Sequence, residues 1–108
     1  MCTLIVAHRT IDGTPLLVAD NRDERFDRPE EEAKWWRPEI DGPKIWSPRD
    51  LEAGGTWIGW SEYGVFAGLT NRHGHRPDPD RRSRGEVVLE ALMYQDAFEG
   101  AKTIADWD

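Results

Sequence analysis

Two short apolar runs open the chain, and a turn sequence separates them. Leu4-Ile5-Val6-Ala7 and Leu16-Leu17-Val18-Ala19 flank Ile11-Asp12-Gly13-Thr14, and an Asp-Gly pair between two apolar runs is typical of a β-hairpin. Each run is apolar at consecutive positions, which is typical of a strand covered on both faces. The pattern predicts two antiparallel strands, over residues 3–8 and 15–20, in an interior sheet.

Residues 27–55 do not continue this pattern. Four prolines interrupt the segment, and it alternates an acidic run, Glu30-Glu31-Glu32, with the aromatic pair Trp35-Trp36. Proline removes a backbone donor and restricts the chain, so such a segment is expected to be irregular. It therefore predicts a long loop, rich in tryptophan and proline, that covers the sheet.

The rest of the chain, from residue 56 onward, predicts one more hairpin and two helices. Residues 56–61 and 64–70 have strand character on either side of Glu62-Tyr63. Ser83 and Glu86 have the spacing of a capping box, so a helix is expected to start near Arg84. A second helix, with Asp96 as its cap, is expected from about 97 to 104. Together these elements predict an α+β fold with antiparallel sheets and helices packed on one face.

Composition narrows the class of protein. The 108 residues fit a single domain, 1–108, and the net charge of −7 disfavours nucleic-acid binding. No apolar stretch approaches a membrane span, and the opening residues lack the basic region of a signal peptide, so a cytoplasmic location is expected. The single cysteine excludes an internal disulfide and a multi-cysteine metal site, and no metal is expected.

The turn positions predict a constellation of reactive side chains. If Asp12 and Gly13 are the central residues of the first turn, Asp23 lies opposite Cys2. The same reasoning applied to the second hairpin places Asn71 opposite Gly54, where a side-chain amide is suited to donating a hydrogen bond to an oxyanion. Alternatively, Cys2 is a small buried hydrophobic residue, and Asn71 merely ends a strand.

Several sequence blocks resemble a known family. They are Met1-Cys2-Thr3, Asn21-Arg22-Asp23-Glu24, Gly54-Gly55-Thr56-Trp57-Ile58-Gly59, Gly64-Val65-Phe66-Ala67-Gly68-Leu69-Thr70-Asn71 and Ser83-Arg84-Gly85. In this order they resemble the NRDE family, also called the transport and Golgi organisation family. That family is similar to the cholylglycine hydrolase and penicillin V acylase branch of the N-terminal-nucleophile (Ntn) hydrolases. Its chains are longer, which implies that this sequence is an N-terminal fragment with a partial αββα sandwich.

The resemblance implies roles for individual residues. Met1 is expected to be removed, so that Cys2 becomes the nucleophile and its α-amine the base. An α-amine titrates near ~8 and can accept the thiol proton without help from a histidine. Asp23 matches the carboxylate that holds the nucleophile, with Asn21 beside it, and Asn71 matches the oxyanion amide. The branch has an arginine where this chain has Asp20.

Five residues are candidates for ligand binding. Arg72 and Arg84 belong to a basic cluster that leads into a helix N-terminus, where anions such as the phosphates of acyl-coenzyme A or the propionates of haem would bind. Its members are Arg72, His73, His75, Arg76, Arg81, Arg82 and Arg84. Alternatively, this cluster is a solvated loop. Trp35 and Trp36 either line a pocket for a flat or apolar ligand or cover the sheet. Arg22 either contacts a ligand or forms a structural ion pair with the nearby Glu24.

Three functions are consistent with these features. The first is hydrolysis of a small amide or thioester by Cys2, which requires no cofactor. The second is a non-catalytic carrier of haem, acyl-coenzyme A or lipid, which the resemblance implies through roles in haem or lipid homeostasis and secretory organisation. The third is a scaffold. A homodimer through exposed sheet edges is also expected.

Overall fold

The fold is α+β with antiparallel sheets, as the sequence predicts. The computed structural model describes residues 2–71 and 78–107. One sheet has two strands, and the other has four in the order β3-β4-β5-β6. In chain order the elements are β1 (Thr3–Ile11), β2 (Thr14–Asn21), β3 (Glu30–Trp36), β4 (Ile45–Asp50), β5 (Ile58–Ser61), β6 (Phe66–Gly68), α1 (Arg84–Leu92) and α2 (Ala97–Ala105).

The β1–β2 hairpin turns at the predicted place but pairs one residue out of the predicted register. Ile11 faces Thr14 across the turn, whereas His8 faces Leu16. The shift arises from a β-bulge between His8 and Ile11, where Arg9 has a φ of 55°. Extended past the end of the ladder, this register places Arg22 opposite Cys2. The prediction that Asp23 lies directly opposite Cys2 is therefore wrong.

This hairpin is more exposed than its sequence predicts. The side chains of Ile5, Val6 and Leu17 are 60%, 50% and 51% exposed, so the expected cover on both faces is not present in the described part of the chain. Leu4 is the point of contact with the larger sheet, because a Cβ on Gly68 would lie 3.2 Å from its Cδ2. A run of consecutive apolar residues indicates that both faces of a strand would be stabilised by burial. It does not show that other parts of the chain pack against those faces.

The segment 27–55, predicted to be a cover loop, instead contains β3 and β4. Pro29, Pro38 and Pro43 lie outside these strands, so they interrupt no ladder. Pro48 lies within β4, and the β3 bulge between Glu31 and Lys34 lies opposite it. A proline is tolerated in a strand where a bulge removes the need for its missing N–H.

Four aromatic residues form one continuous row across the larger sheet. Trp35 faces Trp46, Trp46 faces Trp60, and Trp60 faces Phe66. The rings of Trp60 and Phe66 are 4.9 Å apart between centroids. Gly68 is on the same face as Phe66, since residues two apart in a strand point the same way. The row and the β1–β2 hairpin therefore share the outer face of the sheet.

The second hairpin has a longer loop than predicted. The N–H of Ser61 donates to the carbonyl of Val65 at 2.9 Å, and Gly64 has a φ of 84°. The loop is therefore Glu62-Tyr63-Gly64, a three-residue loop that uses glycine in the left-handed region. Its pairing differs by one residue from that of a two-residue turn, so the predicted pairing of Asn71 with Gly54 is wrong.

The inner face of the larger sheet carries the core and α1, and α2 packs against α1. Ile45, Val65, Val88 and Leu92 are buried together. Gly59 lets α1 approach closely, because a Cβ there would lie 3.0 Å from Leu92 Cδ1. The helices start where the sequence predicts, and the side chains of Ser83 and Asp96 accept hydrogen bonds from the backbone N–H groups two residues ahead.

No helix in residues 2–71 or 78–107 is both long enough and apolar enough to span a bilayer.

Candidate functional site

A cavity of about 160 Å³ lies where the end of the β1–β2 hairpin, the entry to β5 and the start of α1 meet. Its walls are mostly polar and carry charges of both signs. The residues that line it are Cys2, Asp20, Arg22, Glu24, Arg28, Asp50, Thr56, Trp57, Leu69, Asn71, Ser83, Arg84 and Gly85.

Two glycines bring α1 against the segment that enters β5. A Cβ on Gly55 would lie 2.7 Å from the Cα of Gly85, and a Cβ on Gly85 would lie 2.9 Å from the Cα of Gly55. Both positions therefore need glycine for the backbones to approach. Thr56, the next residue after Gly55, is only 2% exposed. Its hydroxyl donates a hydrogen bond to the carbonyl of Ile58 at 3.1 Å. This approach forms one wall of the cavity.

An ion pair between Arg28 and Asp50 supports a second wall. Asp50 is only 8% exposed, and its Oδ1 and Oδ2 accept from Nε and Nη2 of Arg28 at 3.2 and 2.5 Å. Oδ1 also accepts from the backbone N–H groups of Glu52 and Ala53 at 3.0 and 3.4 Å. Burial raises the pKa of the Asp50 carboxyl, but these hydrogen bonds outweigh burial, so its pKa lies below its usual range.

The guanidinium of Arg22 lies between the ring of Trp57 and the carboxylates of Glu30 and Glu24. Its guanidinium carbon lies 3.7 Å from the centroid of the Trp57 ring. Nη1 lies 2.7 Å from a carboxylate oxygen of Glu30, and Nη2 lies 3.9 Å from one of Glu24. Arg22 is therefore the residue through which the end of β2, the start of β3 and the entry to β5 are joined.

Cys2 is half-buried, and its thiol meets the backbone of Asp23. The Sγ donates to the carbonyl oxygen of Asp23 at 3.8 Å. A hydrogen bond from the chain's terminal ammonium group, together with the charge of that group, lowers the pKa of the Asp23 carboxyl. The Asp23 backbone thus lies beside Cys2, although the strand register does not place the Asp23 side chain opposite the thiol.

Four predicted site residues, Cys2, Arg22, Asn71 and Arg84, line the same cavity. The cavity walls do not include Asn21 or Asp23, both of which are exposed. Asp20 and Arg22 alternate with them along the chain and occupy the cavity side instead. The bulge in β1 is the reason, because it shifts by one residue which positions face the thiol.

The remaining predicted ligand-binding residues lie elsewhere. Trp36 packs beside the core, where its Nε1 donates to Ser47 Oγ at 2.8 Å and Arg49 lies 4.4 Å from its ring centroid. Trp35 is 55% exposed in the aromatic row. Arg72 falls outside the described residues, as do His73, His75 and Arg76 of the same basic cluster.

Sequence reasoning missed Arg28 and Asp50. They are 22 positions apart, and an isolated arginine and aspartate carry no signal of pairing over that distance. The available hint was local: Asp50 precedes Leu51-Glu52-Ala53-Gly54-Gly55, and an aspartate before a glycine-containing turn commonly accepts from backbone N–H groups two and three residues ahead.

Comparison with known proteins identifies the family. The family model described as Transport and Golgi organisation 2 matches residues 1–106. The mouse Transport and Golgi organization 2 homolog is 43% identical over 80 residues, and the bovine and human homologs are 39% and 40% identical over the same length. Each match covers 71% of this chain and 28% of the relative, so the chain spans a little over a quarter of these relatives.

No solved structure matches the chain. The family assignment therefore comes from sequence, and the matched range contains Gly55 and Gly85, whose backbones approach closely, and the cavity residues Cys2, Arg22 and Asn71. Since the family model extends over nearly the whole chain, this protein belongs to the Transport and Golgi organisation 2 family.

Proposed function

We propose that this protein hydrolyses small amides or thioesters with Cys2 as an N-terminal nucleophile. The observation that carries the proposal is that Cys2 and Asn71 line one small polar cavity. Neither histidine nor lysine is among the described residues that line it. A general base for the thiol is therefore best supplied by the α-amine of Cys2 itself, once Met1 has been removed.

The reaction has two balanced steps. The α-amine takes the proton of the thiol, and Sγ attacks the carbonyl carbon to form a tetrahedral oxyanion. Collapse of this intermediate breaks the bond to the leaving amine or thiol, which receives the proton, and leaves the acyl group bound to Sγ as a thioester. Water then attacks the thioester, releases the carboxylic acid and regenerates the free thiol. The Asn71 amide donates to the oxyanion in both steps.

Asp23 and Arg22 position the nucleophile in this scheme. The Asp23 carbonyl accepts a hydrogen bond from the thiol of Cys2. Arg22 holds the end of β2 through Trp57 and Glu30. Each holds backbone next to Cys2, so both act through the nucleophile and not on the substrate.

The layer order supports an Ntn-type αββα sandwich as the parent fold. α1 packs on the inner face of the larger sheet, and Leu4 of the two-stranded sheet contacts its outer face at Gly68. This gives helices, sheet and sheet in three successive layers. We propose that the fourth layer belongs to the parts of the relatives that lie beyond the matched region.

The size of the cavity favours a small substrate. About 160 Å³ is below the roughly 300–1,000 Å³ of pockets that enclose drug-sized ligands. Haem or the whole of acyl-coenzyme A exceeds that space, so a ligand of this size would extend out of the cavity.

The test is hydrolysis of a panel of small acyl 4-nitroanilides by the purified chain, followed by absorbance of the released 4-nitroaniline. The proposal predicts turnover that disappears in Cys2→Ala and survives in the exposed control Asp41→Asn. Turnover that persists in Cys2→Ala, or no turnover from a chain with Cys2 at its N-terminus, would contradict the proposal.

A carrier of a flat or apolar ligand is the second candidate, and the aromatic row favours it. Trp35 and Trp46 are 55% and 41% exposed and lie side by side on the outer face of the sheet. Haem titration followed by absorbance separates the two functions. A carrier predicts binding that is weakened by Trp46→Ser and unaffected by Cys2→Ala; equal binding by all three chains argues against this surface.

A further inference from the structure

We propose that the acyl group carried by the substrate ends in an α-amino acid, whose ammonium is bound by Asp20 and whose carboxylate is bound by Arg84. This inference rests on the proposed function, because it names the substrate class of the same cavity. Its basis is that most of the charged side chains lining the cavity form ion pairs, whereas Asp20 and Arg84 form none with the described residues.

Among the residues that the structure describes, six charged side chains line the cavity, and four of them have ion-pair partners. Arg28 pairs with Asp50, and Arg22 pairs with Glu30 and approaches Glu24. Glu24 also lies 3.7 Å from Arg28. These four side chains are therefore neutralised within the wall, and they form its framework.

Asp20 and Arg84 are different from the other four. Both are exposed at the cavity, and neither forms an ion pair or hydrogen bond with any residue in the described ranges. They are also not within ion-pair distance of each other. The cavity therefore presents one carboxylate and one guanidinium, separated in space, to whatever enters it.

The two charges lie on different elements around the nucleophile. Asp20 is opposite Leu4 in the β1–β2 ladder, on the same face as Cys2, because residues two apart in a strand share a face. Arg84 is the first residue of α1, which the contact between Gly55 and Gly85 holds against the entry to β5. The two residues are thus fixed independently, one on the hairpin and one on the helix.

A ligand with a single charge meets one attractive and one repulsive side chain in this arrangement. A zwitterion matches both, because Asp20 accepts from an ammonium and the Arg84 fork donates to a carboxylate. The volume of about 160 Å³ agrees with a group of amino-acid size. An acyl group such as γ-glutamyl carries both charges at the end remote from its reactive carbonyl.

The experiment compares four 4-nitroanilides that differ only in these charges. The γ-glutamyl group has both, 4-carboxybutanoyl lacks the ammonium, 4-aminobutanoyl lacks the carboxylate, and butanoyl lacks both. We expect kcat/KM to be highest for γ-glutamyl and at least roughly tenfold lower when either charge is absent.

Two substitutions assign the charges to residues. Asp20→Asn is expected to lower kcat/KM for the two ammonium-bearing substrates and to spare butanoyl, and Arg84→Gln is expected to do the same for the two carboxylate-bearing substrates. Asp41→Asn and Arg9→Gln, at exposed positions away from the cavity, are the matched controls. Hydrolysis that depends on Cys2 but has no preference for γ-glutamyl overturns this inference and leaves the proposed function intact.

If none of the four substrates is hydrolysed, the proposed function is contradicted. The zwitterion site is then tested by a binding measurement. Calorimetric titration of the Cys2→Ala chain with glutamate then measures the same contacts without chemistry. Saturable binding that Asp20→Asn and Arg84→Gln each weaken about tenfold supports the zwitterion site. No binding, or binding that both substitutions leave unchanged, overturns it.

Discussion

Gly55 and Gly85 touch backbone to backbone, so that a Cβ on Gly55 would lie 2.7 Å from the Cα of Gly85. These glycines belong to two separate sequence blocks, 54–59 and 83–85, that resemble the family. The contact gives both blocks a physical reason: it places the start of α1 beside Thr56 and shapes the cavity that contains Cys2.

Gly55→Ala and Gly85→Ala are each expected to destabilise the fold by about 1–3 kcal/mol, because a methyl group has no space between two backbones. Chemical denaturation followed by circular dichroism measures this. Gln95→Ala, on an exposed loop, is the control and is expected to stay within about 0.5 kcal/mol of the parent. Glycine variants as stable as the control would show that the close approach is absent.

The Arg28–Asp50 pair is expected to make stability depend on pH in the acid range. The hydrogen bonds lower the pKa of Asp50 in the folded state from its usual 3.8, so the carboxylate stabilises the fold above that value. This contribution decreases as pH falls through the folded-state pKa. Denaturation at a series of pH values below about 5 measures the decrease.

Asp50→Asn is expected to remove that acid dependence and about 2 kcal/mol of stability at neutral pH, since it weakens hydrogen bonds made to a charged group. Asp41→Asn is the matched control, because Asp41 is exposed and has no ion pair in the described structure. A stability curve for Asp50→Asn that parallels the parent curve at every pH would contradict the assignment.

Arg22 and Trp57 are expected to be energetically coupled. A guanidinium over an indole ring at a partly buried site contributes about 0.5–1 kcal/mol. A double-mutant cycle with Arg22→Gln and Trp57→Leu measures the coupling free energy and separates it from the ion pair with Glu30. Additive effects of the two substitutions would mean that the stacking contributes nothing.

Asn71 and Asn21 are expected to differ in their effect on catalysis. Asn71 lines the cavity with Cys2, so Asn71→Ala should lower kcat by roughly 10²-fold, as loss of an oxyanion donor does. Asn21 is exposed and does not line the cavity, so Asn21→Ala should leave kcat nearly unchanged. Steady-state kinetics on the hydrolysed anilides gives both values, and the reverse order would contradict the placement of the site.

Much of the local structure follows from sequence pattern. The Asp12-Gly13 turn and the helix starts at Arg84 and Ala97 depend on residues close together in the chain, and the structure confirms them. Local sequence patterns of this kind indicate backbone φ preferences and helix caps. They do not determine the pairing register of the strands beyond a turn.

Strand register and the burial of strand faces depend on residues that are distant in the chain, and the predictions of both are wrong. The bulge at Arg9 shifts the β1–β2 ladder, and the three-residue loop ending at Gly64 shifts the second hairpin. A shift of one residue exchanges the faces of a strand. This is why Asp20, and not Asp23, shares the cavity with Cys2. The Arg28–Asp50 pair had no signal in the sequence because its two residues are 22 positions apart.

Peptide mapping by mass spectrometry, after the chain is incubated with a slowly hydrolysed acyl donor and quenched in acid, shows whether Cys2 is the nucleophile. Nucleophilic catalysis by Cys2 predicts an N-terminal peptide that begins at Cys2 and carries one acyl group on its sulfur. An unmodified Cys2, or a chain that retains Met1 and still turns over substrate, would contradict it.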